Sequence, residues 1–126
     1  MWDPKAKLTK DGGNLMDRWI VAANQNLLQF FHKEMAAYRL YTVVPRLLRF
    51  LEELTNWYVR LNRTRLKGDQ GPAEQEVALH TLFDVLLNTC TMMSCFTPFM
   101  AEILYQNLKN GIAEDSPLKA ESIHYL

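Results

Sequence analysis

The residues best suited to chemistry are a group of basic side chains in the middle of the chain. Seven of the 14 lysines and arginines lie between Arg39 and Lys67, and Glu52 and Glu53 are the only acidic residues in that interval. Six of the seven are arginines, whose planar guanidinium can bind one phosphate through two hydrogen bonds. A solvated helix face usually mixes charges of both signs, because opposite pairs stabilise it. The composition therefore favours contact with phosphate groups.

The net charge of the whole chain conceals this group. The 126 residues sum to a formal charge of zero, but residues 39–68 carry +5 and residues 69–126 carry −6. A net charge of zero argues against a nucleic-acid binder. The uneven distribution of the charge along the chain instead predicts that one face attracts nucleic acid. The acidic second half leaves an alternative open, a helical adaptor that docks a partner protein.

Four helical segments must position these residues. Apolar residues recur with a helical period after Asn14, across residues 39–65, after Pro72 and after Pro98, and no segment resembles a strand. Asn14 suits an N-cap, and the two prolines suit first helical positions. We therefore predict an all-α fold, a helical bundle of three long helices plus a short fourth. We expect three parts: a lead segment at 1–13, a helical domain at 14–111, and an exit segment without its own core at 112–126.

The second predicted helix carries the basic residues. Its apolar stripe runs from Leu40 to Leu61 in alternating steps of three and four residues. Pro45 interrupts the pattern, because proline lacks the N–H that a helix interior requires. Either the helix begins late, with Thr42 as its cap, or it begins near Arg39 and kinks. The late start is favoured, because it places the proline in the first turn.

On a wheel of about 100° per residue, most of the basic residues share one arc of roughly 120°. Asn56 and Trp57 lie within or at the edge of that arc, and a tryptophan there offers a platform for stacking an unpaired base. Glu53 shares the arc and could pair with Arg46 or Arg49. The alternative is an ordinary solvated face. The residues on the arc are Arg39, Arg46, Arg49, Arg60, Arg63 and Lys67, and Arg65 lies off it.

The sequence contains no pattern typical of a catalytic or metal site. It has no Gly-rich phosphate loop, nucleophile elbow or paired carboxylates. Cys90 and Cys95 match no zinc spacing, so we expect buried thiols there. No uncharged apolar run reaches 18 residues, which argues against a membrane span. We expect that this chain alone is not an enzyme and has no catalytic or metal-binding residues.

Several strings of residues resemble the helical anticodon-binding domain of class Ia aminoacyl-tRNA synthetases. These strings are Asp17 to Ile20, Tyr38-Arg39, Asn56 to Arg65, and Phe96 to Glu102. Within that family, further strings are similar to the eukaryotic cytosolic isoleucyl-tRNA synthetases: Glu34 to Pro45, Asn56 to Gly68, and Ser122 to Leu126. The resemblance covers residues 14–126, and the order and spacing of the strings make it specific.

The resemblance implies a fragment of a larger cytoplasmic ligase that activates isoleucine with ATP and magnesium. The catalytic signatures, the editing domain and any zinc module of that class are missing from this sequence, so the fragment would bind tRNA without aminoacylating it and would hold no cofactor itself. Its implied partners are the anticodon stem-loop of isoleucine tRNA and the other domains of the parent, with no membrane and no DNA. The same domain from a valyl- or leucyl-tRNA synthetase is the alternative within the family.

The basic residues and the resemblance together define the expected tRNA-binding site. Arginines on one helix face would neutralise phosphates, which position the RNA without reading its sequence. Trp57 could instead pack between helices, and we expect Arg18 and Trp19 to serve helix packing. The residues assigned to phosphate contact are Arg46, Arg49, Arg60, Arg63, Arg65 and Lys67, with Asn56 and Trp57 as additional candidates.

Overall fold

The computed structural model describes residues 14–126, which form helices and loops with no β-strand. The predicted all-α bundle is confirmed, and the lead segment at 1–13 lies outside the described residues. Within 14–126, no helix is both long and apolar enough to cross a membrane. The elements are α1 (Leu15–Ala36), α2 (Leu40–Glu53), a π-helical turn (Leu54–Val59), α3 (Arg63–Leu66), α4 (Pro72–Met93) and α5 (Pro98–Leu108).

Three helices begin where local sequence signals predict. The Asn14 side chain accepts a hydrogen bond from the Met16 N–H at 2.9 Å, which satisfies one of the free donors at the start of α1. Pro72 and Pro98 occupy the first positions of α4 and α5, where the missing N–H costs nothing. Gly71 precedes α4 with φ 103°, a left-handed conformation that glycine adopts without strain.

The predicted late start of the second helix is wrong. Helix α2 begins at Leu40, with Arg39 at the N-cap position, so Pro45 lies inside it. The Thr42 side chain does not cap the helix and instead donates to the carboxylate of Glu34 at 2.8 Å. That contact lies within a tight connection between α1 and α2, which fixes where α2 can begin.

The predicted apolar stripe of this helix is also partly wrong. Leu40 and Leu61 are 49% and 60% exposed, whereas Val43 and Phe50, outside the predicted stripe, are buried. Val43 is followed by Val44 and Phe50 by Leu51, so the periodicity alone fits either of two neighbouring faces. Packing against α1 selects the face that carries Val43 and Phe50.

Two hydrophobic cores hold the helices together. The larger core lies among α1, α2 with its π turn, and α4, and includes Ile20, Leu27 and Tyr58. The smaller core joins α4, α5 and the C-terminal segment through Cys90, Tyr105 and Ile123. Cys90 is thus buried as expected.

Cys95 is exposed, contrary to the prediction of two buried thiols, because it lies beyond the end of α4.

The segment at 112–126 packs against α5 and shares the smaller core. Ile112 and Ile123 are almost completely buried. The Tyr105 hydroxyl donates to the carbonyl of Leu118 and accepts from the N–H of Ala120, both at 2.8 Å. The division of the chain at residue 111 stays a prediction, but the segment after it is anchored to the helices.

Candidate nucleic-acid interface

Arg46 and Arg49 lie on the exposed surface of α2, beside the helix face that packs on α1. The Arg46 guanidinium lies 4.7 Å from the centre of the Phe30 ring, a cation–π contact that orients it. The Arg49 Nε is 3.3 Å from a carboxylate oxygen of Glu53, one turn later on the same helix. The expected pairing of Glu53 is therefore with Arg49. An exposed pair of this kind is weak, so Arg49 can still exchange its partner for a phosphate.

The π turn carries Asn56 and Trp57, and both side chains are exposed. Trp57 is 59% exposed, which excludes the alternative that it packs between the helices. An exposed indole presents a flat face on which a base can stack. Arg18 and Trp19, which we expected to serve helix packing, lie on α1, where Arg18 is exposed, contrary to that expectation, and Trp19 is 36% exposed.

Arg60, Arg63 and Lys67 follow the π turn and are all exposed. None of these three side chains forms an ion pair or a hydrogen bond with residues 14–126, whereas Arg39, Arg49 and Arg65 each have an acidic partner. Their hydrogen-bond donors are therefore available to an external anion. Charge-assisted bonds from guanidinium to phosphate are among the stronger hydrogen bonds in proteins.

The π turn divides the basic residues into two groups. Such a turn adds one residue to the helical repeat, so later side chains are rotated by roughly 100° relative to a continuous α-helix. The basic residues before and after the π turn therefore do not share the single arc that a continuous helical wheel predicts. Arg46 and Arg49 form the group before the turn, and Arg60, Arg63 and Lys67 form the group after it. We call these five residues the cationic surface.

Arg65 is not part of the cationic surface, because it is buried. Its side chain is 3% exposed, and its Nη1 and Nη2 each donate to Asp17 at 2.9 Å. A second carboxylate, that of Glu74, lies 3.1 Å away, and Nη1 also donates to the Asn62 side chain. With these partners, the guanidinium has no free face for a phosphate. The assignment of Arg65 to phosphate contact is therefore not retained.

Asp17 and Tyr58 complete this buried network. The Tyr58 hydroxyl donates to Asp17 at 2.7 Å. Burial, and then the hydrogen bond to the carboxylate, raise the pKa of Tyr58 well above its ordinary value, while the hydrogen bond to Asp17 raises that of Arg65. Both groups therefore keep their protons at neutral pH. The network joins α1, the π turn, α3 and α4, so it fixes the segment from which Arg60, Arg63 and Lys67 project.

The sequence contains a signal for this network. The buried residues of α1 follow helical steps from Asp17 through Ile20 to Leu27, so Asp17 lies in phase with core residues. A buried aspartate requires a cationic or hydrogen-bonding partner. Counting the basic residues of one helix does not reveal this network, because the acidic partners of Arg65 lie on α1 and α4.

Arg39 also has a structural role. It donates to the nearly buried carboxylate of Glu34 through Nε at 2.7 Å and Nη2 at 3.0 Å. These bonds raise the pKa of Arg39, and those from Arg39 and Thr42 lower the pKa of Glu34. The pair closes the turn between α1 and α2, where Tyr38 adopts φ 58°. Arg39 therefore stabilises the turn, and the cationic surface begins at Arg46.

Within residues 14–126, no three His, Cys, Asp or Glu side chains are grouped as a metal site would require. The acidic side chains of the network are engaged by Arg65 and Tyr58. What the arrangement offers is a set of exposed cations beside an exposed tryptophan.

A family model and several curated proteins match this chain over nearly its whole length. Residues 17–125 match the family model described as the anticodon-binding domain of tRNA ligase. The chain is 54% identical over 119 residues to the cytoplasmic isoleucine–tRNA ligase of Mus musculus, which covers 93% of the chain and 9% of that protein. It is 50% identical over 117 residues to the cytoplasmic enzyme of Saccharomyces cerevisiae, covering 90% of the chain and 11% of that protein.

A third relative is similar over nearly the whole chain. The probable cytoplasmic isoleucine–tRNA ligase of Dictyostelium discoideum is 50% identical over 125 residues, which covers 99% of the chain and 12% of that protein. The chain thus spans about a tenth of the length of these relatives.

Proposed function

Because the chain belongs to the family of anticodon-binding domains of tRNA ligases, we propose that it binds the anticodon stem and loop of an isoleucine tRNA. In this proposal it acts within a longer cytoplasmic ligase, which joins isoleucine to that tRNA at the expense of ATP. The chain itself contributes RNA contact and no catalytic group. The similarity to isoleucine–tRNA ligases favours this tRNA over those for valine or leucine.

The residue-level support for RNA binding is a group of exposed cations without acidic partners. Three cations, Arg60, Arg63 and Lys67, are exposed on one short segment and have no acidic partner among residues 14–126. The neighbouring Arg65 shows that this sequence does pair arginines where the fold requires it. Cations left unpaired beside paired ones are expected where an external anion completes the contacts, and the phosphates of an RNA stem supply such anions.

The exposed side chains of the π turn support RNA rather than another polyanion. Trp57 can stack with an unpaired loop base, and Asn56 has both a donor and an acceptor for a base edge. Phosphate contacts from the cationic surface would set the position of the stem. The turn would then lie close to the unpaired loop.

A charge-reversal experiment tests the proposal. The double change Arg60→Glu with Arg63→Glu should lower the affinity for an isoleucine tRNA by at least tenfold, because two attractive contacts become repulsive. The control is Arg18→Glu with Lys33→Glu, two exposed cations on α1, which changes the net charge by the same amount. Filter binding at a fixed low salt concentration measures both.

Two results would contradict the proposal. One is an unchanged affinity for the Arg60 and Arg63 variant. The other is an equal loss in the α1 control, which would show that only net charge matters. A helical adaptor for another protein predicts the first of these results, because its binding does not depend on the two arginines.

The proposed attachment to the rest of a longer ligase has its own support. Helix α5 exposes Phe99, Met100 and Ile103, at 86%, 55% and 58% of their surface. A row of large apolar side chains on one helix is expected where another part of a protein covers it. The other domains of the parent are the proposed partner for this face.

A further inference from the structure

We infer that Asn62 is a positioning residue for the cationic surface, because it selects one of two helical registers open to the segment after Leu54. The inference rests on the proposed function. In the structure, the π turn is accompanied by burial of Tyr58 and Asn62 and by exposure of Trp57 and Leu61. We call this arrangement the π register. A continuous α-helix through the same residues is the alternative, which we call the α register.

The spacing of the buried residues on α2 predicts the α register. Leu47, Phe50 and Leu54 are buried and follow one another in steps of three and four residues. Trp57 and Leu61 continue that series after Leu54, so a continuous α-helix would turn both apolar side chains toward the core. In the structure they are instead 59% and 60% exposed.

An exposed Leu61 beside a buried Asn62 is the reverse of the usual preference. Asn62 is only 3% exposed, whereas asparagine is mostly exposed in proteins and leucine is among the residues most often buried. Burying a leucine side chain favours one conformation over another by about 10- to 100-fold. The π register gives up this contribution at Leu61, so specific contacts must offset the loss.

The Asn62 side chain supplies such contacts in the π register. Its Nδ2 donates to the carbonyl of Tyr58, inside the π turn, at 2.9 Å, and its Oδ1 accepts from Nη1 of Arg65 at 3.0 Å. The same guanidinium binds Asp17 of α1, so Asn62 is joined to the buried network. Each hydrogen bond shifts an equilibrium by about two- to tenfold, and more when a partner is charged. The α register would turn Asn62 away from the core and from this guanidinium.

The register decides where the cations after the turn point. A shift of one residue rotates later side chains by roughly 100° about the helix axis. The α register would therefore move Arg60, Arg63 and Lys67 away from their present directions and would draw Trp57 toward the core. Asn62 is buried, so it acts on RNA only through these exposed side chains.

The first test removes the Asn62 amide. The probe is an RNA hairpin with the anticodon stem and loop of an isoleucine tRNA. Asn62→Ala should lower hairpin affinity by at least about fivefold, because the α register then competes with the π register. The matched control is Asn107→Ala on α5, where an exposed amide donates to the carbonyl of Ile103, also four residues earlier, at 2.9 Å. The control should change the affinity by less than about twofold.

The second test is a rescue of Asn62→Ala by Leu61→Ser. In the π register Leu61 is exposed, so serine has little effect there. In the α register the same change removes a leucine from the core and weakens the competitor. The double variant should therefore recover hairpin affinity to within about twofold of the unmodified chain. A role of Asn62 in stability alone predicts no recovery, because Leu61→Ser adds no contact.

The third test detects the register without RNA. With Trp2 and Trp19 replaced by phenylalanine, Trp57 is the only tryptophan. Asn62→Ala should shift the Trp57 emission to shorter wavelength and weaken its quenching by acrylamide, and Leu61→Ser should reverse both changes. If Asn62→Ala does not fold, as judged by circular dichroism, Asn62→Ser replaces it, because a serine hydroxyl is too short to join both partners.

The outcomes separate this inference from the proposed function. Unchanged Trp57 emission in Asn62→Ala, unchanged hairpin affinity, or a lost affinity that Leu61→Ser does not restore would each overturn the positioning role of Asn62. Loss of binding on Arg60 and Arg63 reversal would still support RNA binding in all three cases. If the unmodified chain binds no hairpin at low salt, the proposed function is wrong and the positioning role falls with it, while the emission of Trp57 still shows whether Asn62 sets the register.

Discussion

At the scale of single residues, two arginines of one segment have opposite roles. Arg63 is exposed and makes no ion pair with residues 14–126, whereas Arg65, two positions later, is buried against Asp17 and Glu74. The geometry with Asp17 is bidentate, and Asn62 and Glu74 accept further hydrogen bonds from the buried guanidinium. Removing one member of a buried pair leaves the other charged and unpaired, so the two arginines should differ greatly in their effect on stability.

We therefore predict that Arg65→Ala lowers the free energy of unfolding by about 3–5 kcal/mol. Arg63→Ala, the same change at an exposed position, should alter it by less than about 0.5 kcal/mol. Urea denaturation followed by circular dichroism measures both. A loss below 1 kcal/mol for Arg65→Ala would contradict the role that the structure gives to the buried network.

The count of arginines and lysines between residues 39 and 67 predicts a basic group. It does not predict which of these side chains are buried. The arginines between 39 and 65 have the same chemistry, and only their partners on other helices separate them. Arg39 pairs with Glu34 of α1 and Arg65 with Asp17 of the same helix. These pairs depend on the packing of α1 against α2 and α3, which a single sequence does not specify.

At the scale of elements, the sequence predicts the helices but gives no sign of the π turn between α2 and α3. The helices and most of their first residues follow from periodicity, prolines and the Asn14 cap. A continuous wheel, however, assumes α geometry throughout, and Leu54–Val59 departs from it. The change in phase after the turn separates Arg46 and Arg49 from the later cations. The sequence therefore predicts which basic residues belong to the candidate site, but it does not predict how they are arranged around the helix.

The C-terminal segment is a second element whose attachment depends on particular contacts. Glu102 of α5 accepts hydrogen bonds from the Ser122 hydroxyl at 2.8 Å and from the Ile123 N–H at 3.0 Å. Its other oxygen accepts from Gln106. The bond from Gln106, followed by that from Ser122, holds the pKa of Glu102 below its ordinary value. The ionised carboxylate thus anchors the segment to α5.

This anchoring predicts a pH dependence. A carboxylate with a lowered pKa in the folded state stabilises the fold above its unfolded pKa of about 4.3, and this contribution disappears as the pH falls through the folded value. Between about pH 5 and pH 3, Glu102→Gln should therefore lose less stability than the unmodified chain. The urea midpoint at each pH measures this difference.

The matched control for that experiment is Glu52→Gln. Glu52 is exposed, and its carboxylate accepts no hydrogen bond from residues 14–126. This variant removes the same charge without touching the C-terminal segment. If the midpoint of Glu102→Gln falls with pH as steeply as that of the control, the carboxylate does not anchor the segment.

At the scale of the whole molecule, the neutral total charge is the sum of unlike regions. Residues 39–68 carry +5 within a chain of net charge zero, so under the proposed function RNA is attracted mainly to the cationic surface. The structure reduces the effective set further, since Arg39 and Arg65 are paired with acids. Arg49 is paired with Glu53 as well, so four members of the cationic surface have no acidic partner among residues 14–126, and three of these follow the π turn. The proposed function therefore expects RNA to bind at the cationic surface, with most of the unpaired cations after the π turn.

The salt dependence of tRNA binding tests most directly whether the cationic surface contacts phosphates. Each phosphate contact contributes a slope of about −0.7 to −0.9 in a plot of log affinity against log salt concentration. The unmodified chain should give a total slope of about −2 to −4.5 for three to five contacts. Replacing Arg60 and Arg63 by glutamine should make the slope less steep by about 1.4 to 1.8. A slope that is flat, or that is the same in the variant, would contradict phosphate contact by Arg60 and Arg63.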